Sequence, residues 1–183
     1  KQYINTDYVP KMTTKIDCVV NVADGQLRYP AVVFGAQSLP SGRTDDKDNM
    51  SFFAWFRSSA ATAYNRGSAE RQGASFGYDT KVRLVCEGLN ASWSSMDGRL
   101  LGSIANEGEI RNGDTSYPLY IFALDEPNSG NPGQPHDHTY LTMKLYSFKI
   151  YEGDVLKRDF VPCVETATGK AGLYDLAVGK FHG

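Results

Sequence analysis

Apolar and polar residues alternate with a period of two along much of this chain, and no useful length of it carries a helical period. Thr14 to Val22 sets Ile16, Cys18, Val20 and Val22 against Lys15, Asp17 and Asn21, and Ala23-Asp24-Gly25 supplies a turn, so the segment predicts a half-buried strand. Val32 to Ala36 predicts a short second strand. In Phe52 to Arg57, Phe52, Ala54 and Phe56 share one face while Phe53, Trp55 and Arg57 share the other. Ser75 to Tyr78 and Lys81 to Glu87 are expected as further strands, the second burying Val82, Leu84 and Cys86. Leu89 to Ser95 is expected to pair with Arg99 to Ile104 across Asp97-Gly98, a dipeptide favoured in type I′ hairpins, with Trp93 packed in the core in phase with Leu89 and Ala91. Tyr117 to Leu124 is apolar on both faces, the pattern of a central strand covered on each side.

The two ends follow the same rule. Gln2 to Thr6 reads as a short extended segment that Tyr8-Val9-Pro10 terminates, because proline cannot donate to a central ladder. In the closing section the apolar phase changes between Leu141-Met143-Leu145 and Tyr146-Phe148-Ile150, the mark of a β-bulge. Lys144 to Gly183 then contains a hairpin: Tyr146, Phe148 and Ile150 alternate up to a Gly153-Asp154 turn, and Leu156 and Phe160 resume on the return strand. Ser38 to Asn49, the segment running from Ser58 through Tyr64-Asn65-Arg66-Gly67 to Gly73, and Glu126 to His138 lack a period and read as connections. About a dozen short strands with turn signals between them predict an all-β, two-sheet antiparallel sandwich. No repeat recurs at a fixed period.

Composition narrows the functional classes. The chain has 183 residues, 41% hydrophobic and 22% charged, enough for one sizeable core, so residues 1–183 are expected to form a single domain. A net charge of −2 with scattered Lys and Arg gives no field for a nucleic-acid backbone. No apolar run approaches the ~20 residues of a membrane-spanning helix. A start at Lys1 fits a removed targeting segment or one module of a longer protein, and both suit a secreted or surface location. Three cysteines leave at least one thiol unpaired and show no C-x-x-C spacing. Cys18 and Cys86, in phase with apolar neighbours, read as small buried hydrophobes ahead of a disulfide between them.

QYINTDYVP at the start, FGA at Phe34 to Ala36, YIFAL at Tyr120 to Leu124, LYSFKIYEGDVLKRDFVPC at Leu145 to Cys163 and GLYDLAVGKFHG at Gly172 to Gly183 resemble the concanavalin A-like, laminin G-like jelly-roll domains of bacterial surface and secreted proteins and of some phage structural proteins. The resemblance implies a two-sheet jelly roll with one concave face. Its members include carbohydrate-binding modules, adhesion domains and glycan-cleaving enzymes.

Enzymes of that fold that cleave β-glucans carry E-x-D-x-x-E on one strand. Here Glu152-Gly153-Asp154-Val155-Leu156-Lys157 has Lys in place of the second Glu and crosses a hairpin turn, and Glu107-Gly108-Glu109 lies among loop formers. No G-x-S-x-G or glycine-rich phosphate loop is present. His136-Asp137-His138 lacks a third metal ligand. Asp45, Asp46, Asp48 and Asn49 are oxygen-rich without an ordered calcium-loop spacing, so calcium is the one cofactor left open and a solvated acidic loop is the plainer reading. A sugar needs an aromatic ring for its apolar face and charged or amide partners for its hydroxyls. Phe53, Trp55 and Arg57 fit that kit, with Tyr64, Arg66 and Tyr78 as candidates if their segment folds over the same sheet. The reading is a non-catalytic extracellular carbohydrate-binding or adhesion module whose partner is a glycan, or a protein on the cell surface. The alternatives are a glycoside hydrolase with acids on separate strands, such as Asp79, Glu87 or Glu107, and a structural domain of a surface or virion assembly.

Overall fold

The computed structural model describes residues 3–23, 31–37, 51–56, 61–66, 69–75, 79–105, 117–123 and 143–183. Every regular element among them is a β-strand. In chain order these are β1 (Ile4–Asn5), β2 (Thr14–Val22), β3 (Ala31–Gln37), β4 (Ser51–Phe56), β5 (Ala61–Arg66), β6 (Ala69–Ser75), β7 (Lys81–Glu87), β8 (Asn90–Ser95), β9 (Leu100–Ala105), β10 (Tyr120–Ile121), β11 (Met143–Glu152), β12 (Val155–Val164), β13 (Ala171–Asp175) and β14 (Lys180–His182). They form two antiparallel sheets, A in the order β1-β10-β3-β4-β5-β6 and B in the order β14-β13-β12-β11-β2-β7-β8-β9. The sandwich expected from the alternation is the fold observed.

The inner faces explain why. On β2, Ile16, Cys18, Val20 and Val22 all point inwards, and β7 sets Cys86, Leu84 and Val82 opposite the first three. Both cysteines are buried free thiols, and burial pushes the Cys18 thiol well above its ordinary range, so it stays protonated and packs as a hydrophobe. Phe34 of sheet A meets Phe148 of sheet B edge to face at 5.8 Å, and Phe52 and Phe160 extend the aromatic layer to either side. Each such buried ring contributes roughly 2–3 kcal/mol. Trp93 lies in this core as its phase predicted, its indole 3.0 Å from where a Cβ on Gly102 would sit.

Two bulges set the phase of the closing hairpin. Between Leu145 and Ser147 the pairing of β11 with β2 shifts by one, so Tyr146 is the extra residue and is turned outwards while Met143, Leu145, Phe148 and Ile150 keep the inner face. The expected bulge is therefore present, but Tyr146 is not one of the buried alternants. A second shift pairs Ile150 with Arg158 and Tyr151 with Leu156. It sends Leu156 outwards, against expectation, while Arg158 stays on the inner side in phase with Phe160. Gly153, with φ +57°, takes the first position of the two-residue loop as a type II′ turn demands.

Other expectations change in detail. The hairpin at Asp97-Gly98 has a three-residue loop in which Gly98 (φ +88°) alone takes the left-handed position, Gly98 N–H donates to Ser95 O, and Ser95 N–H donates to Arg99 O. This is a type I turn with a glycine bulge, not the type I′ loop, because only glycine at the third position escapes the Cβ penalty. The segment at Tyr117 to Leu124 contributes just two paired residues. Leu119, Tyr120 and Ile121 are buried as the pattern implied, but Phe122 turns to φ +63° and ends the strand, its N–H held by Val33 O. Ala61 to Gly73, read as connection, lies instead in the β5–β6 hairpin.

The ends of the chain are fastened together inside the sandwich. Arg158 reaches from β12 to the backbone oxygens of Thr6 (3.3 Å) and Asp7 (3.2 Å) and lies 3.4 Å from the fully buried carboxylate of Asp175. The other oxygen of Asp175 accepts from Asp159 N (2.9 Å) and Ala177 N (3.0 Å), so one side chain caps the last turn and locks β12 to β13. Lys180 pairs with Asp7 at 2.6 Å, and His182 Nδ1 donates to Asn5 O at 3.0 Å. The Phe181 ring lies over Gly172 and Gly183, where an added Cβ would fall 2.6 Å from it.

Asp175→Ala is expected to lower the unfolding free energy by about 3–5 kcal/mol in denaturant titration, because it strands a half-buried guanidinium, whereas Lys180→Ala costs less than ~1 kcal/mol. The Lys180 hydrogen bond holds the Asp7 carboxyl below the usual range. Asp7 thus adds stability above its unfolded value of about 3.9 and loses it as pH falls through the lower folded value. Acid titration of stability should be shallower for Asp7→Asn than for wild type, with a difference below ~1 kcal/mol for so exposed a pair.

Candidate functional site

The aromatic face predicted for β4 is real and faces away from the core. Strand alternation sends Phe52, Ala54 and Phe56 inwards, so Phe53 and Trp55 emerge on the outer side of sheet A, their rings 5.0 Å apart and inclined at 57°. Trp55 pairs with Val32 on β3 and Ala63 on β5, and Phe53 with Gly35 and Asn65. A bulge between Val32 and Phe34 puts Val32 on the outer face beside Trp55 while Val33 joins the core. The three form a small apolar cluster separate from the inter-sheet core.

That cluster is more closed than the sequence implied. Val32 is 2% and Phe53 6% exposed, and Trp55 is half-buried, so the one ring of the set that reaches solvent is the indole. Tyr64 is corrected outright. It pairs with Ala54 on the inner side, is 1% exposed, and donates its hydroxyl to Gly88 O at 2.7 Å, fastening β5 to the β7–β8 turn of sheet B. The small Ala54 leaves room for the phenol in the core, which the lone aromatic in ATAYNR could not reveal. Arg66 pairs through its backbone with Phe52, and its side chain lies outside the described residues, as do Arg57 and Tyr78. Val32 is the member the sequence reading missed. Its signal was the run Val32-Val33-Phe34, three apolar residues that cannot all alternate.

Of the acids considered for catalysis, the two among the described residues, Asp79 and Glu87, do not converge. Asp79 stands exposed in the turn before β7 and Glu87 ends that strand, whose Lys81-to-Glu87 length alone is roughly 20 Å. Paired carboxylates work at about 5–9.5 Å. Glu87 is engaged by Lys15 at 3.1 Å. Glu152 is held by Lys11 at 3.0 Å and Lys157 at 3.5 Å, and the Lys11 hydrogen bond keeps its carboxyl below the usual range, consistent with turn chemistry. Asp45, Asp46, Asp48, Asn49, Glu107, Glu109, His136 and His138 lie outside the described residues. Among those described, no three His, Cys, Asp or Glu side chains cluster as metal ligands, and no helix is long and apolar enough to cross a membrane.

The outer face of sheet B is of another kind. Arg83 grips Asp17 with two hydrogen bonds of 2.8 and 2.6 Å, and Lys149 pairs with Asp159 at 3.3 Å. It is a solvated surface of matched charges, and surface pairs of this sort add little stability.

No protein-family model matches this chain, and no curated protein does. Among solved structures it is similar to the Trypanosoma rangeli sialidase in complex with sialic acid, with a TM-score of 0.52 and 12% identity over 76% of this chain and 20% of that one. The chain thus spans about a fifth of the sialidase's length. It is also similar to Scytalido-glutamic peptidase with a peptide-based transition-state analogue, TM-score 0.48 and 9% identity over 95% of this chain and 98% of that one. A third is SCP-B, an eqolisin-family peptidase in complex with the tripeptide Ala-Ile-His, TM-score 0.44 and 8% identity over 92% and 89%. The sialidase match shows a shared fold; the two peptidases, at lower scores, add nothing to it.

The two indoles differ in access, and fluorescence reads that difference. With Trp93→Phe, the remaining Trp55 emission should be quenched by acrylamide more steeply than the Trp93 emission left by Trp55→Phe.

Proposed function

We propose that this chain is a non-catalytic, extracellular carbohydrate-recognition or adhesion module of the concanavalin A-like, laminin G-like jelly-roll type, acting at a bacterial cell surface. The observation that supports it best is Trp55, an indole part-way out of the outer face of sheet A and propped by Phe53 at 5.0 Å. A ring fixed in this way offers a rigid π-face to the apolar side of a pyranose. In this reading Arg57, directly after β4, together with Arg66 and Tyr78, supplies hydrogen bonds to the sugar hydroxyls. Tyr64 belongs to the scaffold. The placement of Asp79 before β7 and of Glu87 at its far end weighs against a hydrolase built on that pair.

A second reading, a structural domain of a surface or virion assembly, draws on the burial of Val32 and Phe53, which narrows the open aromatic surface to a single indole. Glycan-array binding separates the two. The recognition module retains at least one glycan family, and Trp55→Ala weakens that binding about tenfold, the ~1.4 kcal/mol that one aromatic stacking contact supplies. Absence of binding across the array sinks the module reading and favours the structural one.

A further inference from the structure

The matched charges on sheet B have one gap. On its four central strands β12, β11, β2 and β7, Lys15, Arg83, Lys149, Lys157 and Arg158 each sit beside an acid. Lys81 and Lys144 have no acid at ion-pairing distance among the described residues, and the exposed Asp79 next to β7 does not pair with Lys81. The register places these two lysines in one row: Lys144 pairs with Asn21, and Asn21 pairs with Lys81. Three adjacent strands at about 4.8 Å spacing put the two lysine backbones roughly 10 Å apart, with the Asn21 amide between them. That amide makes no hydrogen bond among the described residues.

The bulge supplies the fourth member. Tyr146 is the residue it expels, 40% exposed, and the Lys81 ammonium lies 3.8 Å from its ring centroid. Bulges recur where a side chain has to be re-aimed, and this one sets an aromatic ring on β11 beside an outward row of two cations and an amide.

We propose that Lys81, Asn21, Lys144 and Tyr146 form a second binding site, on the opposite sheet from Trp55, for a carboxylate-bearing sugar of an acidic polysaccharide. A planar carboxylate fills the gap between the ammoniums and accepts from the two N–H bonds of Asn21. The adjoining pyranose packs against the part of the exposed tyrosine ring that Lys81 leaves open. Charge complementarity selects the ligand: among the described residues neither lysine faces an acid, so an anion is attracted without an ion pair being broken, and Lys81 keeps its place over the Tyr146 ring.

Affinity electrophoresis in polygalacturonate at low ionic strength tests this site apart from the Trp55 reading. Wild type is expected to be retarded, less so at high salt. The double variant Lys81→Gln, Lys144→Gln, exposed substitutions that leave the core untouched, should bind at least tenfold more weakly, as should Tyr146→Ala. Trp55→Ala should bind the acidic polymer as wild type does, so loss of neutral-glycan binding and loss of this site are read separately. The proposal is overturned if polygalacturonate does not retard the protein, if the double variant binds unchanged, or if polyglutamate or a sulfated polysaccharide binds as well as polygalacturonate.

Discussion

Arg158 holds the two sheets together at the end where the chain's beginning and end meet. Its guanidinium donates to two backbone oxygens of the N-terminal segment just after β1 of sheet A and faces the buried Asp175 carboxylate in sheet B. A carboxylate with no solvent contact is tolerable only because two N–H groups and this cation answer it. Around that pair, Lys180, His182 and Phe181 each fix one more piece of the terminal strands. The residues of the closing motif, KRDF, GLYD and KFHG, are the parts of this clasp, so the resemblance that rests on them reports an architectural necessity and not a binding specificity.

At the opposite end Tyr64 plays the corresponding part, with a single hydroxyl bridging to the β7–β8 turn. Between the two anchors the aromatic layer of Phe34, Phe52, Phe148 and Phe160 fills the interior, and the two outer faces differ in character. Sheet A uses its outer face for an apolar cluster from which one indole emerges. Sheet B uses its own for charges in register, each held by a strand whose other face is already committed to the core.

What the sequence could show follows from period two. Where one face is buried and the other wet, as on β2 and β7, burial alternates as the letters do, and the bulge in β11 was visible as a slip in apolar phase. Where a residue's side is set by a partner strand, the letters were silent. Tyr64 looked like a candidate ligand contact because nothing in ATAYNR says that Ala54 stands opposite it. Leu156 left the side of Phe160 because a bulge opposite Tyr151 left no apolar slip to notice. The type I turn at Gly98 depended on how many residues the strands could pair, and Phe122 accepted a left-handed backbone that its own side chain disfavours. The candidate site was legible as far as the outward pairing of Phe53 and Trp55, but not in how far the Phe53 ring is shut from water, since that depends on what lies over the sheet.

The ladder at the middle of sheet B joins β2 to β11, Thr14 with Glu152 at one end and Val22 with Met143 at the other. During synthesis at ~5–20 residues per second, β2 therefore waits roughly 6–25 seconds for that neighbour to leave the ribosome. Throughout that interval one long edge of its apolar row has no partner, and chaperone capture or premature pairing with another nascent chain competes with productive folding.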